Sequence, residues 1–231
     1  MSLLKQYWSQ YENRNKRYRM MASGQPLDEL TNDGGYFTGD VSIGTPAQTF
    51  TLDFDTGSGD LWVADSSCGS SCNQSQSFNT ADSSTYQSTS QSFSITYGSG
   101  QASGNTGTDN VSVAGLTATG FVVNTVTSDS GFPGSPFGGI FGMAWSSISA
   151  HSNNPSPTLV QTLQQQGQIS EAVFSIYLGL ADSNVNPTLI IGGTDSNFYT
   201  GSITYYSLSS AGHWTISWDG IQVNGNLYTS S

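Results

Sequence analysis

Residues 50–63 read Phe-Thr-Leu-Asp-Phe-Asp-Thr-Gly-Ser-Gly-Asp-Leu-Trp-Val: an alternating apolar segment runs straight into Asp55-Thr56-Gly57-Ser58, and a second apolar run, Leu61-Trp62-Val63, leaves it. Phe50, Leu52 and Phe54 recur at every second position, the period of a strand with one buried face. The pattern describes a strand, a tight turn and a second strand, with a carboxylate at the tip. Gly57 permits the turn, and the hydroxyls of Thr56 and Ser58 can bond the carboxylate or the backbone beside it. A carboxylate held this rigidly suits general acid and base chemistry. For the tripeptide Asp-Thr-Gly alone, a turn using Asp and Gly for its own geometry is the plainer account; the flanking strands favour the chemical one.

The same short-strand pattern continues outward, in Phe93, Ile95 and Tyr97, in Val111 and Val113, and in Phe174, Ile176 and Leu178, with clusters of Gly, Ser, Asn and Asp between. One helix is expected, with Ser156 as its cap, Pro157 in its first turn, an apolar face of Leu159, Val160 and Leu163, and Gly167 as its stop. The chain is therefore expected to be mostly β. Its 231 residues suffice for a real core without a disulfide scaffold.

Charge is sparse and unevenly placed. Only 9% of residues are charged, and all five basic residues, Lys5, Arg14, Lys16, Arg17 and Arg19, lie in the first 19 positions. Glu12 is the one acid there, so this stretch carries +4 and residues 20–231 carry −15. A body without Lys or Arg cannot neutralise phosphates, which excludes nucleic acid as its partner. No apolar run approaches the length of a membrane-spanning helix, so no membrane partner is expected, and no secretory signal is visible at the start.

Cys68 and Cys72 lie four apart in a Ser/Gly loop. Two thiols without a neighbouring His fall short of a closed zinc site, so a small-loop disulfide is favoured, and with it an oxidising compartment. Asn73 and Asn110 each begin a glycosylation sequon. His151 and His213 are solitary and read as structural. The Gly pairs 138–139 and 192–193 open no phosphate-binding loop and read as close packing in strands. Neither metal nor cofactor is expected.

These motifs resemble, in order, those of the pepsin-like aspartic peptidases over residues 36–231. Tyr36-Phe37-Thr38-Gly39 leading to Ile43-Gly44-Thr45-Pro46 is similar to the amino-terminal strands, and Asp55-Thr56-Gly57-Ser58 to the first catalytic motif. Ile95-Thr96-Tyr97-Gly98-Ser99-Gly100 resembles the flap hairpin, and Phe137-Gly138-Gly139-Ile140-Phe141-Gly142 the strand that braces the catalytic loop and lines a substrate pocket. Residues 191–201 resemble the segment that joins the two lobes.

The resemblance implies that Asp55 is one of two carboxylates sharing a proton and activating water against a peptide carbonyl. It further implies that Thr56 braces the loop, Ser58 hydrogen-bonds Asp55, Tyr97 closes over substrate with Gly98 and Ser99, and Trp62 stands behind the flap. Phe137 and Ile140 would line the pocket. Gly59 stands where many relatives carry a hydroxyl or another small residue, which thins the hydrogen bonding expected around Asp55.

A second Asp-Ser/Thr-Gly motif is not found. Asp129-Ser130-Gly131 has the letters, but residues 124–128 before it do not read as a buried strand, and Asp195-Ser196-Asn197 lacks the glycine. The fold expected is thus a pepsin-like acid protease fold with one complete lobe and the beginning of a second. Residues 1–33 would form a basic arm or propeptide, 34–195 the catalytic lobe, and 196–231 the inter-lobe strand and the start of a truncated second lobe.

The expected function is an aspartic-type endopeptidase acting on protein or peptide substrates at acid pH, in a secreted, extracellular or vacuolar setting. The missing carboxy-terminal lobe is expected to complete the site, so this chain alone is expected to be inactive. The alternative is a non-catalytic peptide-binding or interaction protein built on the same lobe. For the arm, a solvated tail, a nucleic-acid or localisation signal and a pH-released inhibitory segment all remain open.

Overall fold

Alternation fixes which way each strand faces, and the computed structural model shows the result for residues 18–20, 26–33, 35–72, 76–132, 135–151, 155–179 and 185–228. The described strands are β1 (Tyr18–Met20), β2 (Pro26–Glu29), β3 (Thr31–Asp33), β4 (Tyr36–Ile43), β5 (Gln48–Asp55), β6 (Leu61–Ala64), β7 (Gln87–Thr96), β8 (Gln101–Val113), β9 (Leu116–Ser130), β10 (Gly139–Gly142), β11 (Phe174–Tyr177), β12 (Thr188–Ile191), β13 (Ile221–Val223) and β14 (Asn226–Tyr228). One α-helix, α1 (Leu159–Gln165), lies among the described residues.

Eight strands form one sheet in the order β3-β4-β5-β10-β6-β9-β8-β7, and β4 also pairs with β8 through Ser42–Ser112 and Ile43–Val111. Six of the eight, from β4 to β8, thus close into a ring. A four-stranded sheet, β1-β2-β12-β11, and the β13-β14 hairpin make up the rest.

Two clusters divide the apolar residues by face. Val41, Ile43, Leu52, Phe54, Leu61, Val63, Val111, Val113 and Phe141 belong to the larger one, where Phe54 and Phe141 stack at 5.6 Å. Each such side chain contributes roughly 1.5–3 kcal/mol by leaving water. Trp62, Phe93, Val126, Phe132, Phe137 and Ile140 form the smaller cluster. Leu61 and Val63 enter one cluster and Trp62 the other, as a period of two demands.

Four local expectations meet a different structure. The helix starts at Leu159 with Thr158, not Ser156, at its cap, and the Gln161 side chain accepts a bond from the Thr158 N–H at 2.9 Å. Pro157 therefore precedes the helix, whereas Gly167 does end it, at φ +73°. Leu178 lies past the end of β11 and is 56% exposed.

The third difference concerns residues 124–128, which do lie in a strand, β9, and are buried through Val126. The polar letters misled because their bonding is satisfied internally. Asn124 Nδ2 donates to the Leu61 carbonyl at 3.0 Å, and Thr106 Oγ1 donates to Asn124 Oδ1 at 2.9 Å. Finally, residues 26–33, grouped with the arm on composition, run as β2 and β3 within two sheets. Asp28 and Leu27 pair with Leu189 and Ile190, and Leu27 and Leu30 are buried.

Candidate active site

The loop carrying Asp55 takes its shape from β10, which inserts between the two strands that flank it. β10 runs parallel to β5, with Phe141 opposite Phe54 and Gly142 opposite Asp55, and antiparallel to β6, with Phe141 opposite Leu61. Its backbone then holds the loop at three points. The N–H groups of Gly142, Met143 and Ala144 donate to the carbonyls of Asp60, Asp55 and Ser58 at 2.9, 2.7 and 2.9 Å. Gly142 has to be glycine, since a Cβ there would stand 2.4 Å from Asp60 N and 2.6 Å from the Ser58 carbonyl oxygen.

Both oxygens of Asp55 are occupied from within the loop. Gly57 N–H donates to Oδ1 at 2.7 Å and Ser58 Oγ donates to Oδ2 at 2.6 Å. Such bonds to a carboxylate are short and strong, and they fix its orientation. Gly59 does not remove them; a Cβ there would meet the Trp145 carbonyl at 3.0 Å. Thr56 and Gly57 are exposed at the loop tip.

The far end of the loop is anchored by Asp60, 4% exposed, whose Oδ1 accepts from Ser149 Oγ at 2.7 Å and Oδ2 from Ala150 N–H at 2.8 Å. His151 continues this network, with Nε2 3.1 Å from Asn124 Oδ1. The network was not readable in sequence, because its members lie far apart along the chain.

Over the loop stands the β7–β8 hairpin. Its tip turns at Tyr97, whose N–H donates to the Gly100 carbonyl at 2.7 Å, leaving Gly98 and Ser99 exposed. Trp62 Nε1 donates to the Tyr97 hydroxyl at 2.8 Å. Burial is the first cause pushing the Tyr97 phenol above its ordinary value, against the opposing hydrogen bonds of Trp62 and Ser58, so this ring is neutral across the working pH range. Phe137 and Ile140 are buried beneath, at 1% and 4% exposure, and Tyr36 packs edge-on against Phe137 at 5.1 Å.

Alternation also places Asp53 on the face of Asp55, a neighbour that motif reading passed over although the period of two contains it. Burial first, and then the charge of Asp55, raise its carboxyl from 3.8 to about 6, while a bond from Phe37 N–H lowers it.

Of the remaining candidates, Cys68 and Cys72 are disulfide-bonded. Asn110 is half-buried in β8, with its Nδ2 3.4 Å from Thr45 Oγ1. Asn73 lies outside the described residues. No helix among the described residues is long and apolar enough to cross a membrane.

Comparison with known proteins agrees with this geometry. The profile of the eukaryotic aspartyl protease family matches residues 36–231. Pepsin A of Sus scrofa is 40% identical over 213 residues, 90% of this chain and 53% of that protein. Pepsin A of Bos taurus is 40% identical over 217 residues, 91% of this chain and 56% of its own length. Pepsin II-1 of Oryctolagus cuniculus is 41% identical over 196 residues, with coverages of 84% and 49%. The chain spans about half the length of these relatives. With the ordered motifs, the braced Asp55 loop and the family profile in agreement, the chain belongs to the eukaryotic aspartyl protease family.

Proposed function

We propose that the protein is an aspartic endopeptidase in which Asp55 is one of two catalytic carboxylates. The observation that carries this is the double clamp on Asp55: one backbone and one hydroxyl donor fix a carboxylate at a strand tip beneath a tyrosine-tipped hairpin. Two carboxylates sharing one proton provide base and acid together. The ionised one takes a proton from water as that water attacks the peptide carbonyl, and the protonated one donates to the carbonyl oxygen. Tyr97 and Trp62 then limit solvent above the bond, with Gly98 and Ser99 within reach of bound peptide and Phe137 and Ile140 as apolar floor.

Residues 1–231 supply one such motif, and we assign the second carboxylate to a second lobe. The surface of residues 199–228 suits that role, because Tyr205, Tyr206, Trp214, Trp218 and Leu227 are exposed there. By itself this chain is expected to turn over little or no substrate. The lobe would comprise residues 34–195, and residues 196–231 would open its partner. Because β1, β2 and β3 are built into the sheets, the separable part of the arm is placed before residue 18. Its positive charge against an acidic body suits an inhibitory segment released as carboxylates protonate. The Cys68–Cys72 bond supports an oxidising, secretory or vacuolar setting.

The test is cleavage of a denatured protein at acid pH by the protein with both lobes, with and without pepstatin. Asp55→Asn should abolish turnover while leaving circular dichroism unchanged. Equal activity of the variant and the parent would reject the catalytic assignment of Asp55, and a parent without pepstatin-sensitive turnover would return the chain to a peptide-binding reading.

A further inference from the structure

The exit of the Asp55 turn, at Asp60 and Leu61, is held by side chains that meet at His151, a residue solitary in the sequence. The main-chain N–H of His151 donates to Ser149 Oγ at 3.0 Å, and Ser149 Oγ donates to Asp60 Oδ1 at 2.7 Å. Its ring Nε2 lies 3.1 Å from Asn124 Oδ1, and Asn124 Nδ2 donates to the Leu61 carbonyl at 3.0 Å. One residue thus reaches two consecutive positions of the loop by separate routes. The partners also fix the tautomer. The Leu61 carbonyl can only accept, so the Asn124 amide turns its nitrogen there and its oxygen to His151. That oxygen cannot donate, so Nε2 carries the proton.

On its other side the ring meets the hairpin that stands over the loop. Thr106, in β8, has its Oγ1 3.2 Å from Nε2, and Phe93, in β7, faces the imidazole at 6.2 Å between ring centroids. The base of the hairpin, β9 and the exit of the Asp55 loop therefore come together at His151. A cavity of about 30 Å³ lies between Asp60, Asn124, Ser149, His151 and the start of α1. Atoms that face a cavity lack packing partners on that side, so the ring is placed by its hydrogen bonds more than by contact. Phe93, Thr106 and Asn124 carry no ionisable group, and the network reaches one at Asp60, through Ser149.

We propose that His151 is a positioning residue for Asp55. Its Nε2–H, through Asn124, sets where Leu61 leaves the turn, and the turn sets the Gly57 N–H and Ser58 Oγ that hold the carboxylate. This rests on the peptidase reading of Asp55. Hydrogen bonds to a carboxylate favour its ionised form, so slackening them makes a catalytic dyad harder to ionise. His151 acts on the reacting carboxylate and not on the bound peptide, and its loss falls on kcat rather than KM.

The experiment compares the two-lobed protein with His151→Leu, which removes the donor at similar volume, and His151→Gln, whose amide returns an N–H near the place of Nε2. Both constants are measured on one peptide from about pH 2 to about pH 6, with circular dichroism to confirm folding. His151→Leu should lower kcat roughly tenfold and leave KM within about twofold, as the misplacement of a reacting group does. The acid limb of its kcat/KM profile, which reports the dyad as a unit, should move up by roughly half a pH unit. His151→Gln should recover most of both changes. A residue that only filled space would leave the limb in place and gain nothing from Gln. If His151→Leu does not fold, His151→Asn, whose shorter amide stops short of Asn124, takes its place with the same expectations. A folded variant with kcat and acid limb unchanged, or a His151→Gln as impaired as the variant without the donor, overturns the proposal and leaves the peptidase reading standing. A wild type without pepstatin-sensitive turnover overturns both.

Discussion

Replacing Asp53 by asparagine should stabilise the protein near neutral pH and leave it unchanged in acid. In the folded chain this carboxyl is raised from 3.8 to about 6 by burial and by the charge of Asp55. Below about pH 3.8 both folded and unfolded chains hold the proton, and the group is neutral in both. As pH rises the unfolded chain ionises first, and past about pH 6 the folded chain is forced to ionise a carboxyl in poor surroundings. Stability is therefore lost over that interval and stays level above it. A displacement of this size corresponds to ~3 kcal/mol for a wholly buried group. Asp53 is half-buried, so solvent screening reduces the figure to ~1–2 kcal/mol. Asparagine can still accept the Phe37 N–H bond and has no proton to lose. Urea unfolding of both proteins should give equal stability at about pH 3.5 and a variant more stable by ~1–2 kcal/mol at about pH 7.5. A difference that stays flat across this range, or that favours the wild type at the higher pH, would refute the reasoning.

Gly142→Ala should cost roughly 1–3 kcal/mol, because the new Cβ meets backbone of the Asp55 loop rather than a movable side chain, and should reduce turnover more than affinity. Tyr97→Phe removes the acceptor for Trp62 Nε1 and should cost about 1 kcal/mol by thermal denaturation. Intact-mass measurement should show Cys68 and Cys72 bridged in material from an oxidising compartment, and reduction should lower stability by at most about 2 kcal/mol, since the closed loop is short. Replacing Arg14, Lys16, Arg17 and Arg19 with Gln should raise activity of the two-lobed protein near neutral pH; unchanged latency in a folded variant would leave the arm as a solvated tail.

What could be read beforehand follows from how local each signal is. Phe50, Leu52 and Phe54 announce their strand by spacing alone, and all three are buried in the larger cluster. Asp55, Gly57 and Ser58 are within four residues of one another, so their bonding was legible in a short motif. The bracing of Asp60 by Ser149 and Ala150 joins segments distant in sequence, and no local pattern encodes it. Asn124 and Thr125 defeat a hydropathy reading for a related reason: they are buried where distant groups satisfy their polar atoms. The helix cap was misplaced by two residues because Ser156 and Thr158 are both sound caps, and Gln161, three residues after Thr158, decides between them.

The insertion of β10 between β5 and β6 also bears on the order of events during folding. Asp55 and its turn are synthesised early, but Phe141 must find both Phe54 and Leu61 before the turn is clamped. Contacts of such wide sequence separation close a long loop and are slow to form. The clamped geometry of the Asp55 loop is thus expected to be among the last features the lobe acquires. A chain still emerging from the ribosome carries the motif without the shape until the segment around Gly142 has docked.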